Sequence, residues 1–240
     1  MKVALCFFGL TRSLRKYTYN SIVKNIFTPL KQQKHSYDVF VHTYNLPKIT
    51  NPRSHEFNVQ LDTGEYKLLN PVRSLVEDQS VIDKTIDLKF FAKNGDPWND
   101  KCISLMNLLR QFNSLAKVWS LVETYTNETK TKYDVVVFLR PDLEYLTPLD
   151  LQNKEYTDNK IYIPNFAWYY GYNDRFAFGN PRVMKHYANR LVSAIHYIKL
   201  GKPLHSESFL KHHLNVAGVT AAISSIKFHR VRANGVKAKD

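Results

Sequence analysis

Residues 133–149 read YDVVVFLRPDLEYLTPL, and the fold turns on them. VVVFL at 135–139 is an unbroken apolar run of strand-forming residues, the pattern of a strand covered on both faces. Pro141 lacks the N–H that a sheet ladder needs, so regular pairing stops there. Asp142 and Glu144 follow at i and i+2, which in extended chain face the same side. Two carboxylates presented together at the carboxyl end of a strand suit a hard divalent cation, which takes oxygen ligands and a substrate phosphate. Arg140 adds a planar positive fork for phosphate or carboxylate. A solvated acidic turn in which Arg140 pairs with Asp142 satisfies the same spacing.

Outward from this strand the apolar pattern alternates between two periods. Residues 3–10, VALCFFGL, follow Lys2 as a secretory leader would. The run is short for a leader core, has no small-residue cleavage site behind it and meets Thr11 and Arg12 at once, so a buried first strand is expected. Leu14, Tyr17, Ile22, Ile26 and Leu30 recur at helical spacing, with Pro29 marking the exit. YDVFVHTY at 37–44 is a second strand. Pro47, Pro52, Gly64 and Pro71 punctuate a polar excursion of short elements at 45–80. Leu105, Leu108, Leu109, Phe112, Leu115, Trp119 and Val122 mark a long amphipathic helix.

Further strands are predicted at 161–163 and 166–178. Asn180 caps a helix with Pro181 in its first turn and Val183, Met184, Tyr187, Leu191 and Ile195 on its buried side. Ser206 and Glu207 open a short helix, and 226–231 is a last strand before a basic tail. The alternation predicts an α/β fold: one domain over 1–240, with a mostly parallel central sheet and helices on both faces. In such sheets ligands bind beyond the carboxyl ends of the strands, here at 9–12, 42–45 and 140–144.

Composition narrows the class of partner. The 240 residues carry 34 Lys and Arg against 21 Asp and Glu, a formal charge of +13, with a pI near 9.6. That surplus points to a polyanion: nucleic acid, an acidic membrane surface or a phosphorylated small molecule. Hydrophobic residues at 44% exclude wholesale disorder. Cys6 and Cys102 cannot build a disulfide framework, so a reducing compartment, the cytoplasm, is expected. No apolar stretch is long enough to span a bilayer, so a soluble protein without a transmembrane segment is expected. The sequon at Asn127 has meaning only in the secretory pathway.

The remaining candidates lie near the predicted ligand edge. Gly9, Leu10, Thr11 and Arg12 follow the first strand and open a helix, a place for an anion or a uracil-sized base, although no GxGxxG motif is present. Arg110 sits amid the apolar stripe of the long helix, to reach a nucleotide or to snorkel. Trp168 and Tyr170 belong to an aromatic segment suited to the flat faces of sugars, with Asp174 for sugar hydroxyls. Glu207 lies at a helix start, where an acid suits the helix dipole or a capping role. Arg230 and Arg232 alternate along the last strand to face a pyrophosphate together. The histidines at 205, 212, 213 and 229 lack the partners of a structural zinc site, while His205 or His229 is a candidate third ligand of a catalytic cation.

FLRPDLEYL, with CFFGLTR at the first strand, YDVFVHTY at the second and NDRFAFGN later, resembles the small GT-A-fold glycosyltransferases encoded by large algal viruses, such as the chlorella viruses. The resemblance is scattered over most of the chain, from about residue 2 to 235. It implies a Rossmann-like GT-A domain in which 1–145 is the nucleotide-binding half, ending in Asp-x-Glu, and 146–240 the acceptor-binding half with the basic tail. It also implies Mn²⁺ or Mg²⁺ held at the positions of Asp142 and Glu144, where the stricter pattern is Asp-x-Asp, against the diphosphate of a nucleotide sugar. Arg110, Arg140, Arg230 and Arg232 fall to the donor side, and a uridine diphosphate sugar is the default donor. The expected reaction is sugar transfer, with inversion, to a hydroxyl of a glycan or glycoprotein, and the resemblance makes Glu207, at a helix start late in the domain, the first candidate for the general base and Asp174 the second; a viral source would place it in host cytoplasm. No nucleic-acid partner is expected on this reading. The rivals are a basic nucleic-acid-binding protein and an inactive module that keeps nucleotide-sugar or glycan binding.

Overall fold

A computed structural model describes residues 1–238. The strands, in chain order, are β1 (Lys2–Phe8), β2 (Ser36–Asn45), β3 (Lys48–Asn51), β4 (Glu56–Gln60), β5 (Arg73–Asp78), β6 (Val135–Leu139), β7 (Leu143–Tyr145), β8 (Lys160–Pro164), β9 (Phe176–Gly179), β10 (Thr220–Ser224) and β11 (Phe228–Arg230). The α-helices are α1 (Tyr19–Ile22), α2 (Thr28–Gln32), α3 (Gln79–Thr85), α4 (Leu88–Ala92), α5 (Ile103–Thr129), α6 (Pro181–Ala188), α7 (Arg190–Lys199) and α8 (Ser206–Val216). Two wide π turns, Leu14–Thr18 and Val23–Phe27, join α1 and α2 into one helical stretch.

Seven strands form the main sheet in the order β10-β8-β9-β6-β1-β2-β5. β1 lies parallel to both β2 and β6, and β2 to β5, while β9 runs antiparallel between β6 and β8. The sequence pattern explains why β1 and β6 are central. Their side chains alternate between two cores: Ala4, Cys6, Phe8, Val136 and Phe138 face α5 to α8. Val3, Leu5, Phe7, Val135, Val137 and Leu139 face the N-terminal helical stretch. Both faces are therefore buried, as the unbroken apolar run requires. The register sets Phe7 opposite Leu139 and Phe8 opposite His42, so the carboxyl ends of β1, β2 and β6 finish at one edge.

The α/β architecture, with a mostly parallel sheet and helices on both faces, is as expected. The two halves share that sheet, because β8, β9 and β10 extend it beyond β6. The details differ in four places. The excursion at 45–80 contributes the β3–β4 hairpin and also β5, an edge strand of the main sheet. Pro29 does not end the helix; it sits in the first turn of α2, where a missing N–H costs nothing. The helix after Asn180 breaks at Asn189 into α6 and α7, which leaves Ile195 exposed. Of the aromatic segment only β9 is a strand; Ala167, Tyr169 and Tyr170 have left-handed backbone, which no strand accommodates. Among the described residues no helix is long and apolar enough to cross a membrane.

Candidate functional site

At the shared edge opens a cleft of about 600 Å³, walled by the loop after β1, the β3–β4 hairpin, the first turns of α5, the end of β6, the start of α8 and the segment from β11 onward. Gly9 turns the chain out of β1 with φ +91°, a conformation that a side chain disfavours. Its N–H donates to the Ser114 hydroxyl of α5 at 2.8 Å, and that hydroxyl also meets His42 Nδ1 at 2.7 Å. His42 Nε2 in turn meets Glu77 at 2.8 Å. The turn is thus pinned to β2, β5 and α5. Gly9, Leu10 and Arg12 reach the cleft wall, whereas Thr11 is buried behind it.

Arg12 and Arg140 converge on Asp142. Arg140 donates from Nε to Oδ1 at 2.8 Å and from Nη2 to Oδ2 at 2.7 Å, a bidentate fork. Arg12 Nη2 donates to the same Oδ2 at 2.8 Å, and its Nη1 to the buried Glu56 at 3.1 Å. Asp142 is 1% exposed and lies behind the arginines. Burial would raise its carboxyl, but the Arg140 and Arg12 charges outweigh that and hold it far below the usual carboxylate range. Arg230 and Arg232 complete the basic wall. Burial, then the charges of Arg12 and Arg230, draw the Arg232 guanidinium down to about 10.

This donor set does not fit the divalent cation that the Asp-x-Glu spacing suggests. Both Asp142 oxygens already accept from guanidinium groups. Glu144 turns to Lys237, 2.6 Å away, and is not part of the cleft wall. His229 faces Glu144 across the β7–β11 pair, and His205 stacks on Trp98 and approaches Glu207 at 3.6 Å. Among the described residues no group of three or more His, Cys, Asp or Glu side chains is placed to hold a metal ion. The Arg140–Asp142 ion pair is present, buried rather than solvated.

Across the cleft stand the two expected carboxylates of the second half. Glu207 opens α8 and lines the cleft, 3% exposed. It accepts from Arg175 Nη2 at 3.3 Å and from the Ser206 hydroxyl in a short contact. Burial, reinforced by the negative charge of Asp174, pushes its carboxyl up to about 7. Asp174 moves the other way. Burial would raise it, but the charges of Arg175 and Arg190 and the 2.7 Å hydrogen bond from Gln111 hold it below the ordinary value. Gln111 also accepts from Arg140 at 2.9 Å, so it links the two ends of the cleft.

Arg110 lines the wall, but its fork is closed on Asp83 at 2.8 and 2.7 Å. Trp168 and Tyr170 stand outside the wall: Trp168 donates to the Pro164 carbonyl, and Tyr170 is 96% exposed. Tyr169, between them, faces the cleft instead. Glu56, Arg53 and Trp98 are site residues with no sequence signal of their own, since each comes from a polar or irregular stretch and is brought in only by the tertiary fold.

No curated protein matches the chain. Among solved structures, the galactosyltransferase LgtC in complex with donor and acceptor sugar analogs is similar over 92% of this chain and 73% of that one, at 12% identity and a TM-score of 0.42. Residues 1–234 match the family model described as a domain of unknown function, DUF7796, and the chain belongs to that family.

Proposed function

We propose that the chain is a glycosyltransferase of the GT-A type, which moves a sugar from a nucleoside diphosphate sugar to a hydroxyl of a glycan or glycoprotein. The carrying observation is the pairing, in one cleft at the carboxyl edge of the sheet, of a guanidinium wall with a buried carboxylate poised near neutral pH. A diphosphate leaving group needs fixed positive charge where its own negative charge grows, and Arg12, Arg140, Arg230 and Arg232 offer that. An acceptor hydroxyl needs a base, and Glu207, raised to about 7, is matched to that task.

In the proposed step Glu207 takes the hydroxyl proton as the acceptor oxygen forms its bond to the anomeric carbon. The bond from that carbon to the phosphate oxygen breaks, and its electron pair leaves with the diphosphate. Attack from the face opposite the leaving group inverts the anomeric centre. Asp174, held ionised by Arg175, Arg190 and Gln111, suits sugar hydroxyls on the donor or acceptor. Tyr169 offers a ring at the rim, a platform for the flat face of a sugar.

A panel of uridine diphosphate sugars, assayed for release of the diphosphate with the wild type and Glu207→Gln, tests the reading. Expected is turnover with at least one sugar, reduced about a hundred- to ten-thousand-fold in the variant, with nucleotide binding retained. Absence of nucleoside diphosphate binding by the wild type would sink the proposal. Tight, salt-sensitive binding of DNA in its place would favour a nucleic-acid role.

A further inference from the structure

We infer that the cleft holds the donor phosphates on guanidinium groups and recruits no divalent cation for the task. The inference rests on the nucleoside diphosphate reading above. A cation at Asp142 would have to displace Arg140 from both carboxylate oxygens and Arg12 from one of them. It would then sit beside four guanidinium groups, of Arg12, Arg140, Arg230 and Arg232, with Asp142 and Glu56 as the carboxylates that Arg12 bridges. Glu144, the second acid of the spacing, is drawn off to Lys237.

The same contacts give Asp142 a different task. It gathers Arg12, from the loop after β1, and Arg140, from the end of β6, so that two long side chains are fixed before any ligand arrives. Such preorganisation removes the entropy cost that free arginines would incur on binding a phosphate. The Arg12 side chain is 6% exposed, and its Nε has no hydrogen-bond partner among the described residues. A buried guanidinium N–H without an acceptor is costly, and a phosphate oxygen supplies one. Arg232 reaches the same wall from the segment beyond β11, between Val231, whose N–H donates to the Asp142 carbonyl, and Ala233, whose N–H donates to Glu56.

Calorimetric titration decides the matter, with UDP and inorganic pyrophosphate each run into the full chain in EDTA and in excess MnCl₂, and MnCl₂ run alone. Expected is a UDP Kd that agrees within about threefold between the two buffers, no heat from MnCl₂ alone, and a Kd weakened about tenfold in both buffers by Arg232→Ala. UDP binding that needs MnCl₂ would overturn the inference and leave the transferase proposal standing. Binding in EDTA that Arg232→Ala does not weaken would overturn the guanidinium assignment. No UDP binding in either buffer would overturn the transferase proposal and this inference with it.

Discussion

Gly171 lies so close to Glu207 that a Cβ on it would stand 1.8 Å from the Glu207 carbonyl oxygen and 1.9 Å from its carbon. The next residue, Tyr172, donates its N–H to that same carbonyl at 3.1 Å. The loop with the exposed aromatic rings is thereby clamped to the first turn of α8, where the candidate base sits. The position of Glu207 in the cleft and the course of the loop at the rim are one structural fact.

Gly171→Ala therefore forces backbone to move, since carbonyl and amide atoms cannot swing aside as a side-chain tip does. It is expected to cost about 1–3 kcal/mol or more of stability, in the manner of an overpacked core, and to lower turnover further by shifting Glu207. Tyr170→Ala, at a side chain 96% exposed, is expected to change stability by less than about 0.5 kcal/mol. Denaturant midpoints of the two variants, measured beside wild type, check the contrast. Equal midpoints for Gly171→Ala and wild type would show that the clamp is absent.

Glu207 also sets a pH dependence. Its carboxyl keeps a proton in the fold up to about pH 7, while the unfolded chain loses it near the ordinary 4.5. The folded state binds more protons across that window, so stability falls as pH rises through it, by on the order of 3 kcal/mol. Glu207→Gln removes this slope, and its stability relative to wild type should improve by that amount from pH 4.5 to about 7. The rate should report the same group. With Glu207 as base, kcat/KM rises with pH and levels off above about 7. Because the Asp174 charge helps hold Glu207 up, Asp174→Asn should move that limb to lower pH. A limb that stays in place or moves upward would remove the coupling.

Legibility in the sequence followed physical range. β1, β6 and α5 declare themselves because continuous or helically spaced apolar residues reflect burial that every residue of the element shares. The sheet edge they define then located Gly9, Arg12 and Arg140 in the cleft, while Glu207 came from its place at a helix start. Asp142 was located too, and its pairing with Arg140 was one of two readings of the spacing, but its second partner was hidden, since Arg12 lies 130 positions away. Spacing alone does not tell a carboxylate that awaits a metal from one that two arginines already fill. Glu56 was invisible for the same reason. It reads as one acid in a polar stretch, yet it is fully buried by contacts with Arg12, Ser54 and Ala233. Arg190 carried no signal either. A charged residue reads as surface, but its guanidinium packs over the Tyr187 ring at 4.2 Å and is 0% exposed, at the break where one continuous helix was expected.

The Ser114 hydroxyl supports the Gly9 turn and the buried His42 ring together. Ser114→Ala leaves the Gly9 N–H without its acceptor and His42 Nδ1 without its partner, at an expected cost of about 1–3 kcal/mol. Burial holds the His42 imidazole below its ordinary value of 6.5, against the pull of Glu77. The unfolded state therefore takes up a proton first as pH falls below 6.5, and stability is lost in that direction. His42→Gln should flatten that acid limb. Hydrogen exchange at the Gly9 amide, faster in Ser114→Ala than in wild type, would place the effect at the turn. Unchanged exchange there would refute it.

Glu56 ties three parts of the cleft at one carboxylate. Its Oε2 accepts from Arg12 at 3.1 Å and from the Ser54 hydroxyl at 2.5 Å, and its Oε1 accepts from the Ala233 N–H at 2.8 Å. Ala233 follows Arg232, so this bond fixes the segment that brings Arg232 to the wall. Removing a buried acid from a charged pair leaves its partner uncompensated, at about 3–5 kcal/mol. Glu56→Gln keeps the shape and an acceptor but withdraws the charge; it is expected to cost less stability than Glu56→Ala while still loosening Arg12. Proteolysis near the carboxyl terminus should quicken in Glu56→Ala, because the backbone bond to Ala233 is lost with the carboxylate. If Glu56→Ala were cut there no faster than wild type, with stability also unchanged, the β3–β4 hairpin would not be what holds Arg232 in place.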